Sequence, residues 1–138
     1  MLNVNKFTGS IRKSVVNLSS ILTDLWIGGN KISGVLPEGL RNLINLVYLD
    51  VGDNDLAGKL PIDFGNLQYL ELMNFSPNAL TGSIPDIYGN LTRLSKVDLG
   101  GNKLEGIIPP SLGRCQYLLY LNLSHNLLDA QRALKRIC

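Results

Sequence analysis

The chain's one histidine, His125, directly follows Ser124, the two residue types of nucleophilic catalysis. That chemistry needs a base held against the nucleophile and a third group orienting the base, brought together from separate parts of a fold. Two neighbours in one turn supply none of this, so no Ser-His triad is expected. Gly58-Lys59 is followed by Leu60 where a phosphate-binding loop requires Ser or Thr, and Asp53-Asn54-Asp55 lacks the spacing of a calcium loop. No kinase Gly-rich loop, strand lysine or catalytic-loop aspartate occurs. Cys115 and Cys138 are too few for a disulfide framework, and a metal site wants several converging ligands. The expectation is a binding protein with no catalytic residue, metal or cofactor; any kinase activity would reside in a parent chain.

Composition agrees with a folded binding module. With 45% hydrophobic and 17% charged residues, the chain can bury a core and reads as one structured unit. Thirteen basic and eleven acidic side chains give a net charge of +2, too weak a field to imply nucleic acid or an anionic membrane. Met1 to Lys6 carry no signal-peptide pattern, and no window approaches the roughly 18 apolar residues of a membrane span. Two cysteines leave the redox compartment open.

The strongest signal is a repeat. Asn5, Asn30, Asn54, Asn78, Asn102 and Asn126 follow one another at 25, 24, 24, 24 and 24 residues. Before each asparagine, apolar residues recur at a fixed cadence: Leu43, Leu46, Leu49, Val51; then Leu67, Leu70, Met73, Phe75; then Leu91, Leu94, Val97, Leu99. The last two of each set are two apart, the period of a strand with one face inward. Each repeat therefore supplies a short parallel strand. The asparagine amide has two donors and an acceptor, enough to satisfy backbone groups where the chain turns inside the stack. After it come Gly34, Gly58, Gly82 and Gly106, each followed by Leu-Pro or Ile-Pro ending at Pro37, Pro61, Pro85 or Pro109. Glycine permits a bend and proline favours extended chain, so the far side should be extended or turn-like.

This frame resembles the plant-type leucine-rich repeat family, across residues 1 to about 128. The resemblance implies an α/β repeat solenoid: a right-handed superhelix with a concave parallel sheet, 3₁₀ turns on the convex side and a second line of short strands near the Gly-x-Ile-Pro segments. Phrases such as Leu25-Trp26-Ile27-Gly28-Gly29-Asn30 look like the ectodomains of plant receptor-like serine/threonine kinases of the immune-receptor branch. They imply a protein or peptide ligand, an optional co-receptor, and a parent protein secreted or displayed outside the plasma membrane. Secreted inhibitors of cell-wall hydrolases share the repeat and are an alternative. So is a truncated product without function of its own.

Both ends depart from the pattern. Arg12 occupies the proline slot after Ile11, and no family cap precedes the first strand, which points to a piece of a longer array. Residues 129–138 replace Gly-x-Ile-Pro with Asp129 followed by Ala130, Ala133, Leu134 and Ile137 at helical spacing. They read as a capping helix or a frayed tail.

The expected ligand surface is the concave sheet, whose outward residues form columns. One runs Trp26, Asp50, Asn74, Asp98, Asn122; its neighbour runs Asp24, Tyr48, Leu72, Lys96, Tyr120. Asp53 and Glu71 flank them. Exposed aromatics among polar groups favour binding, so Trp26, Tyr48, Asp50, Glu71, Lys96, Asp98 and Tyr120 are the candidates, with Trp26 first. Four glycosylation triplets begin at Asn17, Asn74, Asn90 and Asn122 and favour a secretory history. Asn17 and Asn90 lie outside the strands and are the better acceptors. Cys115 fills a leucine slot and is expected to be a buried small hydrophobe.

Overall fold

A computed structural model describes residues 1–18 and 21–129. Each full 24-residue coil adds one strand to each of two parallel sheets. Strands β1 (Thr8–Ser10), β3 (Lys31–Val35), β5 (Asp55–Lys59), β7 (Ala79–Ser83), β9 (Lys103–Gly106) and β11 (Leu127–Leu128) form a six-stranded sheet in that order. Strands β2 (Asp24–Trp26), β4 (Tyr48–Asp50), β6 (Leu72–Asn74), β8 (Lys96–Asp98) and β10 (Tyr120–Asn122) form a five-stranded sheet, the concave one. The coils return through 3₁₀ turns at Lys13–Leu18, Leu40–Asn42, Phe64–Asn66, Tyr88–Asn90 and Pro110–Arg114. The second strand line and the 3₁₀ returns are those the resemblance implied. The extra residue of the 25-residue spacing and the tail from Ala130 onward lie outside the described residues.

Three-residue strands have no stability alone and persist because every coil repeats the pairing of the last. Their central residues Leu49, Met73 and Val97 are fully buried, with half-exposed neighbours on either side. Behind them Leu43, Leu46, Leu67, Leu70 and Leu94 are also fully buried, so the leucine cadence becomes one continuous column of core.

The asparagines hold adjacent coils together. Asn54 donates from Nδ2 to the Val51 carbonyl of its own coil and to the Ile27 carbonyl of the preceding one, both at 3.1 Å. Its Oδ1 accepts from the Ile32 amide at 2.9 Å, again across the coil boundary. Asn78 repeats this with Val51, Phe75 and Leu56, and Asn102, only 7% exposed, with Phe75, Leu99 and Leu80. The Asn5 side chain, in the first coil, bonds among the described residues only carbonyls of its own coil, Leu2 and Asn3. In the six-stranded sheet the glycines must turn left-handed. At Gly58 φ is +78° and an added Cβ would lie 2.8 Å from Val35 Cγ1, so only glycine fits both the angle and the space.

The last four return turns each bury one large residue, Leu40, Phe64, Tyr88 or Leu112, whereas the first, Lys13–Leu18, buries none. Burial drives the Tyr88 hydroxyl well above its ordinary pKa, and the residue stays a neutral phenol. Its amide donates to Ser111 Oγ at 3.1 Å, while the Ser111 amide donates to Asp86 Oδ1 at 2.9 Å. The Ser111 hydroxyl first, and its amide second, hold Asp86 below the usual carboxylate range. Cys115 sits half-buried beside this group, its Sγ 3.4 Å from the Tyr88 carbonyl, and burial pushes its thiol up, away from thiolate reactivity.

Two outcomes follow from these contacts. Replacing Asn78→Leu strands the Leu56 amide and removes one of two donors from each of the Val51 and Phe75 carbonyls, which keep Asn54 and Asn102, and should cost about 2 kcal/mol, read as a lower denaturant midpoint at unchanged slope. Asn5→Leu should cost well under about 1 kcal/mol, since its partners are exposed. Asp86, with its folded pKa depressed, contributes stability above the ordinary carboxylate pKa that fades as pH falls toward the depressed value. The thermal midpoint of wild type should therefore drop more between pH 6 and pH 3 than that of Asp86→Asn.

Candidate functional site

Register places the expected columns side by side. Asp24, Tyr48, Leu72, Lys96 and Tyr120 are paired across β2, β4, β6, β8 and β10, as are Trp26, Asp50, Asn74, Asp98 and Asn122. Strand alternation turns both columns away from the core, and lateral spacing of about 4.8 Å brings neighbours into contact.

At the β2–β4 end, the Trp26 and Tyr48 rings lie 5.6 Å apart at 30°. The indole Nε1 donates to Asp24 Oδ1 at 3.2 Å, and Thr23 Oγ1 donates to Asp24 Oδ2 at 2.6 Å. These bonds, Thr23 first, lower the Asp24 pKa and keep the carboxylate charged. The Tyr48 hydroxyl donates to Glu71 Oε2 at 3.3 Å, and the nearby negative charge of Glu71 raises its pKa. Sequence alone suggested exposed aromatics; Trp26 and Tyr48 are half-buried, because each covers part of the other. Tyr120, without an aromatic neighbour, is exposed.

The other column is differently employed. Asp50 Oδ1 accepts from the Gly52 amide and from Asn74 Nδ2, both at 3.0 Å, and Asn74 Oδ1 accepts from the Ser76 amide at 3.0 Å. Two coils on, Asp98 accepts from Gly100 at 3.2 Å and Asn122 at 3.0 Å, and Asn122 accepts from the Ser124 amide. These side chains close their own turns and clasp the next coil. Gly28 makes room for the arrangement, since a Cβ there would lie 2.7 Å from Asp50 Oδ1. As carboxylates, Asp50 and Asp98 still charge the surface, and Asp98 Oδ2 takes a 3.3 Å bond from Tyr120, whose pKa that charge raises. Lys96 Nζ lies 4.8 Å above the Tyr120 ring.

Among the glycosylation candidates, Asn74 and Asn122 have Nδ2 committed to the aspartates, whereas Asn17 and Asn90 are exposed on the 3₁₀ returns. One feature was missed at the sheet's edge. Glu71, Arg93, Ser95, Tyr117 and Leu119 line a depression of about 440 Å³, with Arg93 5.1 Å above the Tyr69 ring. Tyr69, Arg93 and Tyr117 are 24 residues apart, so the repeat period itself would have revealed this row. Among the described residues no group of carboxylates, histidine and cysteine is placed to hold a metal ion.

The Leucine Rich Repeat family matches at residues 22–43, 45–67 and 93–115. The receptor-like serine/threonine kinase EFR of Arabidopsis thaliana is 44% identical over 47 residues, which are 34% of this chain and 5% of EFR. Among solved structures, the Arabidopsis receptor kinase HAESA, in complex with the peptide hormone IDA and the co-receptor SERK1, superposes with a TM-score of 0.88 at 35% identity. That match covers 93% of this chain and 21% of HAESA's. The GASSHO1/SCHENGEN3 ectodomain of Arabidopsis thaliana, in complex with CASPARIAN STRIP INTEGRITY FACTOR 2, gives 0.86 at 36% identity, covering 90% and 15%. The chain thus spans about a fifth of these receptors or less. Period, sheet order and structural likeness agree: the chain is built of leucine-rich repeats and has the fold of plant receptor-kinase ectodomains.

Proposed function

We propose that the chain is a non-catalytic recognition module, part of the extracellular, ligand-binding region of a plant receptor-like kinase, and that it binds a protein or peptide on its five-stranded sheet. The observation that carries this is the outward face of β2 to β10, where aromatic and hydrogen-bonding side chains stand in register on a rigid backbone. Trp26 and Tyr48 present large area with few rotors to freeze, the character of a binding anchor. The peptide complexes of HAESA and of PEPR1 with AtPEP1 support the ligand class, and the SERK1 complex supports a co-receptor contact. No described helix is long and apolar enough to cross a membrane; in this reading, anchorage and kinase activity are functions of the parent receptor.

Peptides selected by display against the full chain give the test. Trp26→Ala and Tyr48→Ala should each weaken the selected peptide by tenfold or more, about 1.4 kcal/mol or above, with unchanged circular dichroism. Full affinity in both variants would remove the face assignment. Secretion should also leave its mark. In protein expressed through a plant secretory pathway, mass spectrometry should find glycan at Asn17 and Asn90, and none at Asn74 or Asn122, whose amide nitrogens are engaged. The reverse pattern would contradict those hydrogen bonds and an open binding face.

A further inference from the structure

The recognition face is acidic in a chain that is not. Asp24, Asp50, Glu71 and Asp98 lie on it, and Asp53 lines with Asp50 a second, separate depression. Within the same rows stands one ammonium, Lys96, yet the whole chain has a net charge of +2. Lys31, Lys59 and Lys103 are placed on the six-stranded sheet instead. The two cations nearest the face, Lys96 and Arg93, are both spent on tyrosine rings, at 4.8 Å from Tyr120 and 5.1 Å from Tyr69.

At Tyr120 the chain thus builds a complete cation seat. The ring takes Lys96 from the preceding coil on its face, while its hydroxyl is anchored on the Asp98 carboxylate. The Tyr48 hydroxyl is likewise anchored on a carboxylate, Glu71, here of the following coil. In the preceding coil, however, the position of Lys96 is taken by Asp24, and Trp26 adds a second ring. Two electron-rich rings between two carboxylates attract a cation by ring quadrupole and by charge together, and guanidinium suits stacking best. Neither ring has a cation over it among the described residues.

We infer that the Trp26–Tyr48 corner, flanked by Asp24 and Glu71, seats an arginine or lysine side chain of a basic peptide lying across β2, β4 and β6. The inference rests on the peptide-binding reading above and names its ligand's charge. Local complementarity does the selecting, because the net charge of the chain would repel such a peptide at long range.

Trp26 is the chain's sole tryptophan, so its fluorescence reports on this corner directly. The full chain is titrated with a decapeptide of alternating arginine and glycine, its citrulline counterpart and its glutamate counterpart. Amide shifts are mapped by NMR on the same samples. The arginine peptide should shift Trp26 emission at a Kd about tenfold or more below that of the citrulline peptide, with a steep salt dependence, while the glutamate peptide should cause no shift. Asp24→Asn combined with Glu71→Gln should abolish the preference with unchanged circular dichroism, since Asp24 is exposed and Glu71 half-buried, both outside the core. Equal affinity for arginine and citrulline peptides, or a double variant that retains the preference, overturns the cation seat. Amide shifts that remain on β2, β4 and β6 in that event preserve the peptide-binding face. Shifts confined to the six-stranded sheet, or no shift with any peptide, overturn the seat, and the former removes the face as well.

Discussion

A chain that turns back into its own core every 24 residues must bury peptide groups at each turn, and a buried peptide group without a partner costs about 1–3 kcal/mol. The asparagine at each turn meets this demand. Its amide bonds one carbonyl of its own coil and one of the preceding coil, and its oxygen takes an amide from the preceding coil as well. A backbone donor or acceptor from the neighbouring coil is therefore required by every interior asparagine. Spacing, strand pairing and the parallel arrangement all follow from that reciprocity, because a coil of another length would misplace the partner groups.

Much of the fold could be read from the chain for that reason. Once Asn30, Asn54, Asn78, Asn102 and Asn126 are aligned, the strands and both outward columns are determined by counting, and the pairing of Tyr48 with Leu72 or Asp50 with Asn74 follows. What counting cannot supply is the interaction between two outward residues of adjacent coils. Trp26 shields itself on Tyr48, and Asp50 and Asp98 spend an oxygen on turn closure; both depend on rotamers that period leaves free. The Asp86, Ser111 and Tyr88 group was also invisible, since Ser111 lies one coil beyond the other two and the contact depends on its rotamer.

The same architecture separates what may vary from what may not. Leu49, Met73 and Val97 occupy one buried position in three coils and differ only in shape, whereas their neighbours range over Tyr, Leu and Lys, or Asp and Asn. Because each coil contacts only its neighbours, a change on the outward face leaves the core untouched beyond one repeat. The backbone, meanwhile, keeps the outward side chains at fixed spacing. That combination suits recognition, in which the cost of ordering a flexible surface is removed in advance.

It also suits recognition better than catalysis, on electrostatic grounds. Catalytic acids and bases are tuned by desolvation in a closed site. Here the groups that burial perturbs most, Tyr88 and Cys115, lie on the return side of the solenoid, away from the outward columns. On the face itself the leading causes are hydrogen bonds and neighbouring charges: Thr23 and Trp26 on Asp24, Glu71 on Tyr48, Asp98 on Tyr120. Such pairs keep carboxylates ionised and phenols protonated near neutrality. The surface therefore presents a constant pattern of charge and donors, which is what a binding partner must read.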